Sequence, residues 1–215
     1  ASPAKGFVAD VLSFGGFGVA GVAVLFASLF AAPLVGGIKL QRDIIENHNV
    51  AAGVVLFGTF VATGLIFNGA VRGEGSGWES WVALLAYQVL AQIVLAVMAH
   101  IFEYITPFDL HKEIVEGKNL AAAAGYGGAL AAMGLMLHNA VHGDSTLGWV
   151  ADLQSFGLWC LPLLLLWPVR ALVVNGVMLG FKDLNAEISR DRNVGAGVIE
   201  ATTYIGFALL VLNVS

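Results

Sequence analysis

Charge is scarce in this sequence of 215 residues: only 12% are Asp, Glu, Lys or Arg, against about 25% in soluble domains. That shortage argues against an ordinary globular surface and against a disordered chain, which stays solvated through its polar residues. Basic residues are the rarer kind, ten against fifteen acidic, with a net charge of −5 and no basic tail or patch. Nucleic acid therefore finds no electrostatic footprint here. Cysteine is almost missing: Cys160 stands alone in an apolar run, so no internal disulfide and no Cys-x-x-Cys or Cys/His metal spacing exists. Also missing are a Gly-rich phosphate loop, a Gly-x-Ser-x-Gly elbow, a His-Glu-x-x-His pair and any nucleophile set beside a base. What is abundant is apolar: 58% of residues are hydrophobic, 27 are glycine, and mean hydropathy is +0.83. An integral membrane protein accounts for these numbers.

A helix that crosses a bilayer needs about 20 apolar residues at about 1.5 Å each. Six stretches qualify: Phe14–Ile38, Val50–Val71, Trp81–Phe102, Leu120–Val141, Phe156–Phe181 and Val194–Val214. None alternates as the roughly 10-residue strands of a membrane barrel do. The fold class is therefore all-α, a polytopic membrane protein with six transmembrane helices in three repeated hairpins. The connections after the first, third and fifth spans carry Lys39, Arg42, Lys112, Lys118, Lys182, Arg190 and Arg192, and the opposite side only Lys5 and Arg72. The positive-inside rule then puts the charged connections in the cytoplasm or stroma and both termini on the periplasmic or lumenal side. Trp78, Trp81 and Trp149 fall where an outer aromatic belt is expected. A bacterial inner membrane and a thylakoid or other organellar membrane both suit. The start, Ala1-Ser2-Pro3-Ala4, fits a trimmed methionine or a removed targeting peptide.

The charged connections repeat one another. Asp43-Ile44-Ile45-Glu46-Asn47-His48-Asn49 aligns with Glu113-Ile114-Val115-Glu116-Gly117-Lys118-Asn119 and with Glu187-Ile188-Ser189-Arg190-Asp191-Arg192-Asn193. Nine residues beyond each asparagine come Gly58, Gly128 and Thr202, and near the far ends come Asn68, Asn139 and Asn213. Two-span units share one orientation, so any symmetry axis lies along the membrane normal; a pseudo-threefold and a linear row both satisfy this. The small clusters at Gly53, at Ala121 to Gly125, and at Gly195 and Gly197, together with Gly58, Gly128 and the Gly15, Gly16, Gly18, Gly21 run, suit backbone-to-backbone packing in lipid. A thin pore wall lined by glycine is the rival reading. Asn49, Asn119 and Asn193 are expected to cap helices or bond across hairpins; a ring of asparagines at a conduction mouth is the alternative. The connections themselves mix Ile44, Ile45, Ile114, Val115 and Ile188 with charge, which predicts short amphipathic helices on the cytoplasmic surface, open to docking by a soluble partner.

Ionisable groups at membrane depth are costly and therefore informative. Arg170 lies roughly 16 Å and Glu200 roughly 10 Å from the same side at helical rise, so the two are predicted to pair. His100 and Glu103 stand three apart on one helix face and are expected to hydrogen-bond. The same His-x-x-Glu spacing occurs in di-iron bundles, but these need carboxylates from further helices, and only Glu200 offers one, so no metal site is expected. His138 reads as an interfacial histidine. His100 and His138 are the weak candidates for a haem or chlorophyll ligand; otherwise no cofactor is expected beyond lipid.

The segments Ile105-Thr106-Pro107-Phe108-Asp109, Glu113-Ile114 and Lys118-Asn119-Leu120-Ala121-Ala122-Ala123 resemble the YjfL-like inner-membrane proteins (UPF0719, domain of unknown function 350). In that family a Thr-Pro segment leads to a charged helix and an Asn-x-Ala-Ala opening. Asn193-Val194-Gly195-Ala196-Gly197 with Asn213 resembles the family's second copy loosely, and Asn49-Val50-Ala51-Ala52-Gly53 with Phe67-Asn68 closely. The resemblance covers residues 76–215 as a two-hairpin unit and leaves residues 1–75 as an additional half unit. It departs from the family in its third hairpin, in Gly195 where alanine is usual, and in Phe181 where a proline is usual. It implies a membrane location and a hairpin fold, and no activity.

Taken together, these features predict a non-enzymatic membrane subunit of a homo-oligomer or of a larger assembly with other membrane-protein subunits, partnered by lipid and not by nucleic acid. The rivals are a small ion or solute channel with a polar path through Arg170 and Glu200, and an accessory subunit of a photosynthetic or respiratory complex.

Overall fold

Backbone groups in hydrocarbon have no water to bond, so apolar stretches of this length satisfy themselves as helices. The structure, a computed structural model, describes residues 3–71, 78–142, 149–178 and 183–212. Among the described residues every regular element is helical. The long helices are α1 (Pro3–Gly36), α2 (Val50–Val71), α3 (Trp78–Ile105), α4 (Leu120–Val141) and α7 (Val194–Leu212). The remaining span is composite: α5 (Trp149–Cys160), a 3-10 turn (Leu161–Leu165), α6 (Leu166–Val169) and a π-helical stretch (Arg170–Met178). Pro162 and Pro168 explain the interruption, because proline has no N–H to continue the α ladder and its ring crowds the preceding turn. Six segments are long and apolar enough to cross a membrane, so the chain is an integral membrane protein built as expected from three hairpins.

Several helices outrun their apolar stretches. α1 starts at Pro3 rather than Phe14, α3 at Trp78 rather than Trp81, and the fifth span at Trp149 rather than Phe156. A helix need not stop where hydrocarbon stops; its polar turns continue into the interface. Phe181, Lys182, Arg72, Asn213 and Val214 lie outside the described residues. α1 is followed by Gly37, whose φ of +67° is the left-handed conformation glycine supplies just past a helix C-terminus. A side chain there would also meet the His111 ring.

The second helices of the three hairpins form the core. α4 lies between α2 and α7, while α1, α3 and the fifth span pack around them. The repeats are thus a row with the second in the middle, which excludes the pseudo-threefold. α4 is buried along most of its length. Its neighbours come close because glycines face backbone: Gly58 lies on Gly127, Gly128 on Ala201, Gly134 on Ala62, and Gly197 on the Ala121 carbonyl. These glycines are filled by protein, which leaves no glycine-lined lumen at those positions. Tyr126 on α4 donates to the Val35 carbonyl at 2.9 Å, and Phe102 of α3 stacks on Tyr126 and meets Tyr204 edge-on. Phe14, Phe26, Phe30 and Leu34 of α1 are exposed and belong to the lipid face.

Two expectations need correction. A Cβ at Gly15 or Gly18 would meet nothing within 4 Å, and one at Gly16 or Gly21 would meet the rings of Trp81 and Phe67, so this run of glycines brings no helix backbone close. A Cβ added at Gly53 would meet nothing within 4 Å and one at Gly195 only its own Asn193 side chain, because the outer repeats of a row lack one neighbour. The charged connections are short amphipathic helical turns, as expected, of π form: Leu40–Glu46, Lys112–Glu116 and Ala186–Arg190. Ile114 and Ile188 are fully buried, each drawn in beneath the repeat before it.

Candidate functional site

The polar side chains at depth gather into two constructions. The first is a ladder of asparagines. Each one caps its own helix: Asn49 Oδ1 accepts from Ala52 N, Asn119 Oδ1 from Ala121 N and Ala122 N, and Asn193 Oδ1 from Ala196 N. The amide ends reach sideways. Asn49 Nδ2 donates to the Ile114 and Val115 carbonyls of the second repeat at 2.9 and 3.2 Å. Asn119 Nδ2 donates to the Ile188 carbonyl of the third at 2.8 Å and to its own Glu113 at 2.9 Å. Asn193 Nδ2 keeps the bond to its own Glu187 at 2.9 Å. Both expected roles, cap and cross-hairpin bond, are therefore filled by one side chain in the first two repeats.

The first repeat carries Asp43 where the others carry Glu. One methylene shorter, this side chain turns back to Lys39 N (2.8 Å) and Arg42 Nε (2.6 Å) and is buried. Burial would raise its carboxyl, but the Arg42 hydrogen bond, the Lys39 N–H and the charges of Arg42 and His111 outweigh burial and hold it below the ordinary value.

Replacing Asn119 by Ala is expected to cost about 1–3 kcal/mol, since it removes a cap and leaves the buried Ile188 carbonyl bare. Replacing Asn193 by Ala removes a cap at an exposed position and is expected to cost about 1 kcal/mol or less. Unfolding of the dilute, detergent-dispersed chain in denaturing detergent checks this; equal losses would show that the sideways bond contributes nothing.

The second construction is the predicted ion pair. Arg170 Nε meets Glu200 Oε1 at 2.5 Å, Arg170 Nη2 donates to Asn185 Oδ1 at 2.7 Å, and the Tyr204 hydroxyl donates to Glu200 Oε1 at 2.9 Å. Arg170 is 7% and Glu200 3% exposed. The guanidinium opens the π-helical stretch of the fifth span, and Gly125 of α4 makes room for the carboxylate, which a Cβ there would overlap. The glycine thus serves a charge, not a helix backbone. Tyr204 stands one turn after Glu200 on the same face, a spacing visible in the sequence. Asn185 carried no signal.

The other candidates separate. His100 is exposed and Glu103 half-buried, and among the described residues no hydrogen bond joins them. Glu103 lies close enough to Tyr126 of α4 for electrostatic interaction, while His100 is turned outward. His138 ties α4 to α2 through its Nδ1 and the Leu65 carbonyl at 3.0 Å and stacks on His142. Among the described residues no group of three or more His, Cys, Asp or Glu could hold a metal ion. Sequence reasoning missed Gln88 and Gln92 of α3: their amide atoms are buried without a hydrogen-bond partner among the described residues. Two amides one turn apart in mid-span were the available signal.

A family model described as Domain of Unknown Function (DUF350) matches the chain at residues 6–85 and again at 76–214. No curated protein and no solved structure matches the chain.

Proposed function

The chain belongs to the DUF350 family, and from that premise we propose that it is a non-catalytic integral membrane subunit working within a homo-oligomer or larger membrane assembly. One observation carries this reading: the strongest polar groups at depth bond to one another within the third hairpin, and two asparagines fasten repeat to repeat. Arg170, Glu200, Tyr204 and Asn185 satisfy each other, and Asn49 and Asn119 bind neighbouring connections. These bonds hold helix to helix and connection to connection, which is the work of a structural subunit. The connections face the cytoplasm in this reading, supported by their excess of Lys and Arg.

A second reading, a small ion or solute channel, is favoured by Gln88 and Gln92, whose unpartnered amides offer polar sites in mid-membrane. One experiment separates the two. The chain is extracted in mild detergent, its particle mass and absorbance are measured, and it is reconstituted into liposomes. The subunit reading expects a particle heavier than one 22.5 kDa chain, no visible absorbance and no flux. A monomer whose ion flux falls on replacing Gln88 and Gln92 by Leu would overturn it.

A further inference from the structure

The three repeats use one operator. Asn49 and Asn119 are 70 residues apart, Asn119 and Asn193 are 74 apart, and the same offsets relate the groups they touch. Asn49 reaches the Ile114 carbonyl and Asn119 reaches the Ile188 carbonyl, which are equivalent positions. Gly58 on Gly127 is matched by Gly128 on Ala201, again equivalent positions. The rim repeats as well. His48, Lys118 and Arg192 all hold left-handed φ of 48 to 51°. Lys118 Nζ donates to the Asn47 carbonyl at 2.8 Å, and the Arg192 guanidinium lies against Gly117, the equivalent of Asn47. Each repeat therefore has a giving face toward the next and a receiving face toward the one before.

Both end faces are open. Asn49 and Asn119 are buried, whereas Asn193 is exposed. On the third repeat's giving face Gly195, Val198, Ile199, Thr202 and Gly206 are exposed at successive helical turns. On the first repeat's receiving face Ile44, His48, Gly53 and Phe57 line a shallow groove. A Cβ added at Gly53, Gly64 or Gly206 would meet nothing within 4 Å. The operator pairs these open positions with each other. It puts Asn193 on the Ile44 carbonyl, Gly195 on Gly53, Thr202 on Phe57 and Gly206 on Gly64, and it brings His48 beside Asp191.

The geometry points to a second copy of this chain as the occupant: the third repeat of one copy docks on the first repeat of the next, continuing the interface already built twice within the chain. This rests on the subunit reading and specifies its partner. Such a contact is heterologous; it closes into a ring when the rotation per copy permits and otherwise extends as a row. Thr202 and Phe57 stand where the internal interfaces have Gly58 and Gly127 or Gly128 and Ala201, so this contact is wider at that turn; its driving terms are the small-residue approach at Gly195–Gly53 and Gly206–Gly64 and an asparagine-to-carbonyl bond out of water.

Cysteine cross-linking tests it. Two differently tagged chains, both Cys160→Ala, are co-expressed, one with Gly53→Cys and the other with Gly195→Cys, and their membranes are oxidised. The equivalents of Gly53 are Ala123 and Gly197, and those of Gly195 are Ala51 and Ala121; between the first and second repeats alanine stands at both places, so a Cβ on each side is compatible with this contact. The expected result is a disulfide-linked pair only when both variants are present. Phe57→Cys with Thr202→Cys, two turns further along, is expected to behave the same way. Equal cross-linking of either variant with itself, or none from both pairings in an oligomeric particle, overturns the head-to-tail contact while sparing the subunit reading. No cross-link and a monomeric particle overturn both.

Discussion

Replacing Glu200 by Gln is expected to be among the most damaging single changes in the chain, costing about 3–5 kcal/mol. The carboxylate is the only anion on the Arg170 guanidinium among the described residues, and both groups are buried. Arginine cannot escape by losing its proton, so the variant holds an uncompensated cation at membrane depth. The reverse change is expected to be milder. Arg170→Met leaves a carboxyl that can take up a proton and keep the Tyr204 hydroxyl as a partner, at a cost of about 1–3 kcal/mol. The double variant Arg170→Met/Glu200→Gln should therefore be more stable than Glu200→Gln alone. Denaturing-detergent titrations of the three variants decide it. Wild-type stability in Glu200→Gln, or strictly additive losses in the double variant, would remove the pair from the account.

Gly128→Ala is the second large effect. Its new Cβ would fall on the Cα and Cβ of Ala201, so α4 and α7 must separate along their shared contact. Overpacking of this kind costs about 1–3 kcal/mol, and in lipid no hydrophobic gain offsets the lost approach. Gly64→Ala is the control. It sits in a helix with open space around it, and alanine favours helix by up to about 1 kcal/mol. In the dispersed monomer Gly128→Ala should unfold early and Gly64→Ala should not. If both glycines tolerate alanine equally, the close α4–α7 contact is not what holds the row.

The sequence makes these residues legible to different degrees. Six spans, three hairpins and the Arg170–Glu200 pair follow from apolar length, the repeat near 70 residues and depth along two antiparallel helices. The asparagines announce themselves by register, and their double use follows from having both an acceptor and donors on one short side chain. The order of the repeats does not follow, because a row and a threefold place equivalent residues at the same depth. Nor does the fate of individual glycines: Gly53 and Gly197 each stand four residues past their asparagine, and only position in the row makes one open and the other crowded. The Ile–charge alternation of the connections rightly marks short amphipathic helical turns, but not what their apolar side meets: the asparagine of the preceding repeat draws Ile114 and Ile188 inward. Asn185 lies in a connection, where no periodicity marks a partner.

Whether the three charged turns share one side of the membrane is tested most directly by side-specific thiol labelling. Glu46, Glu116 and Arg190 are equivalent and exposed, and each is changed singly to Cys in a Cys160→Ala chain. With a membrane-impermeant reagent applied to vesicles of known orientation, all three are predicted to react from the same side and none from the other. Reaction of any one of them from the opposite side would contradict three hairpins laid in parallel register, and with it the row that the rest of the account is built on.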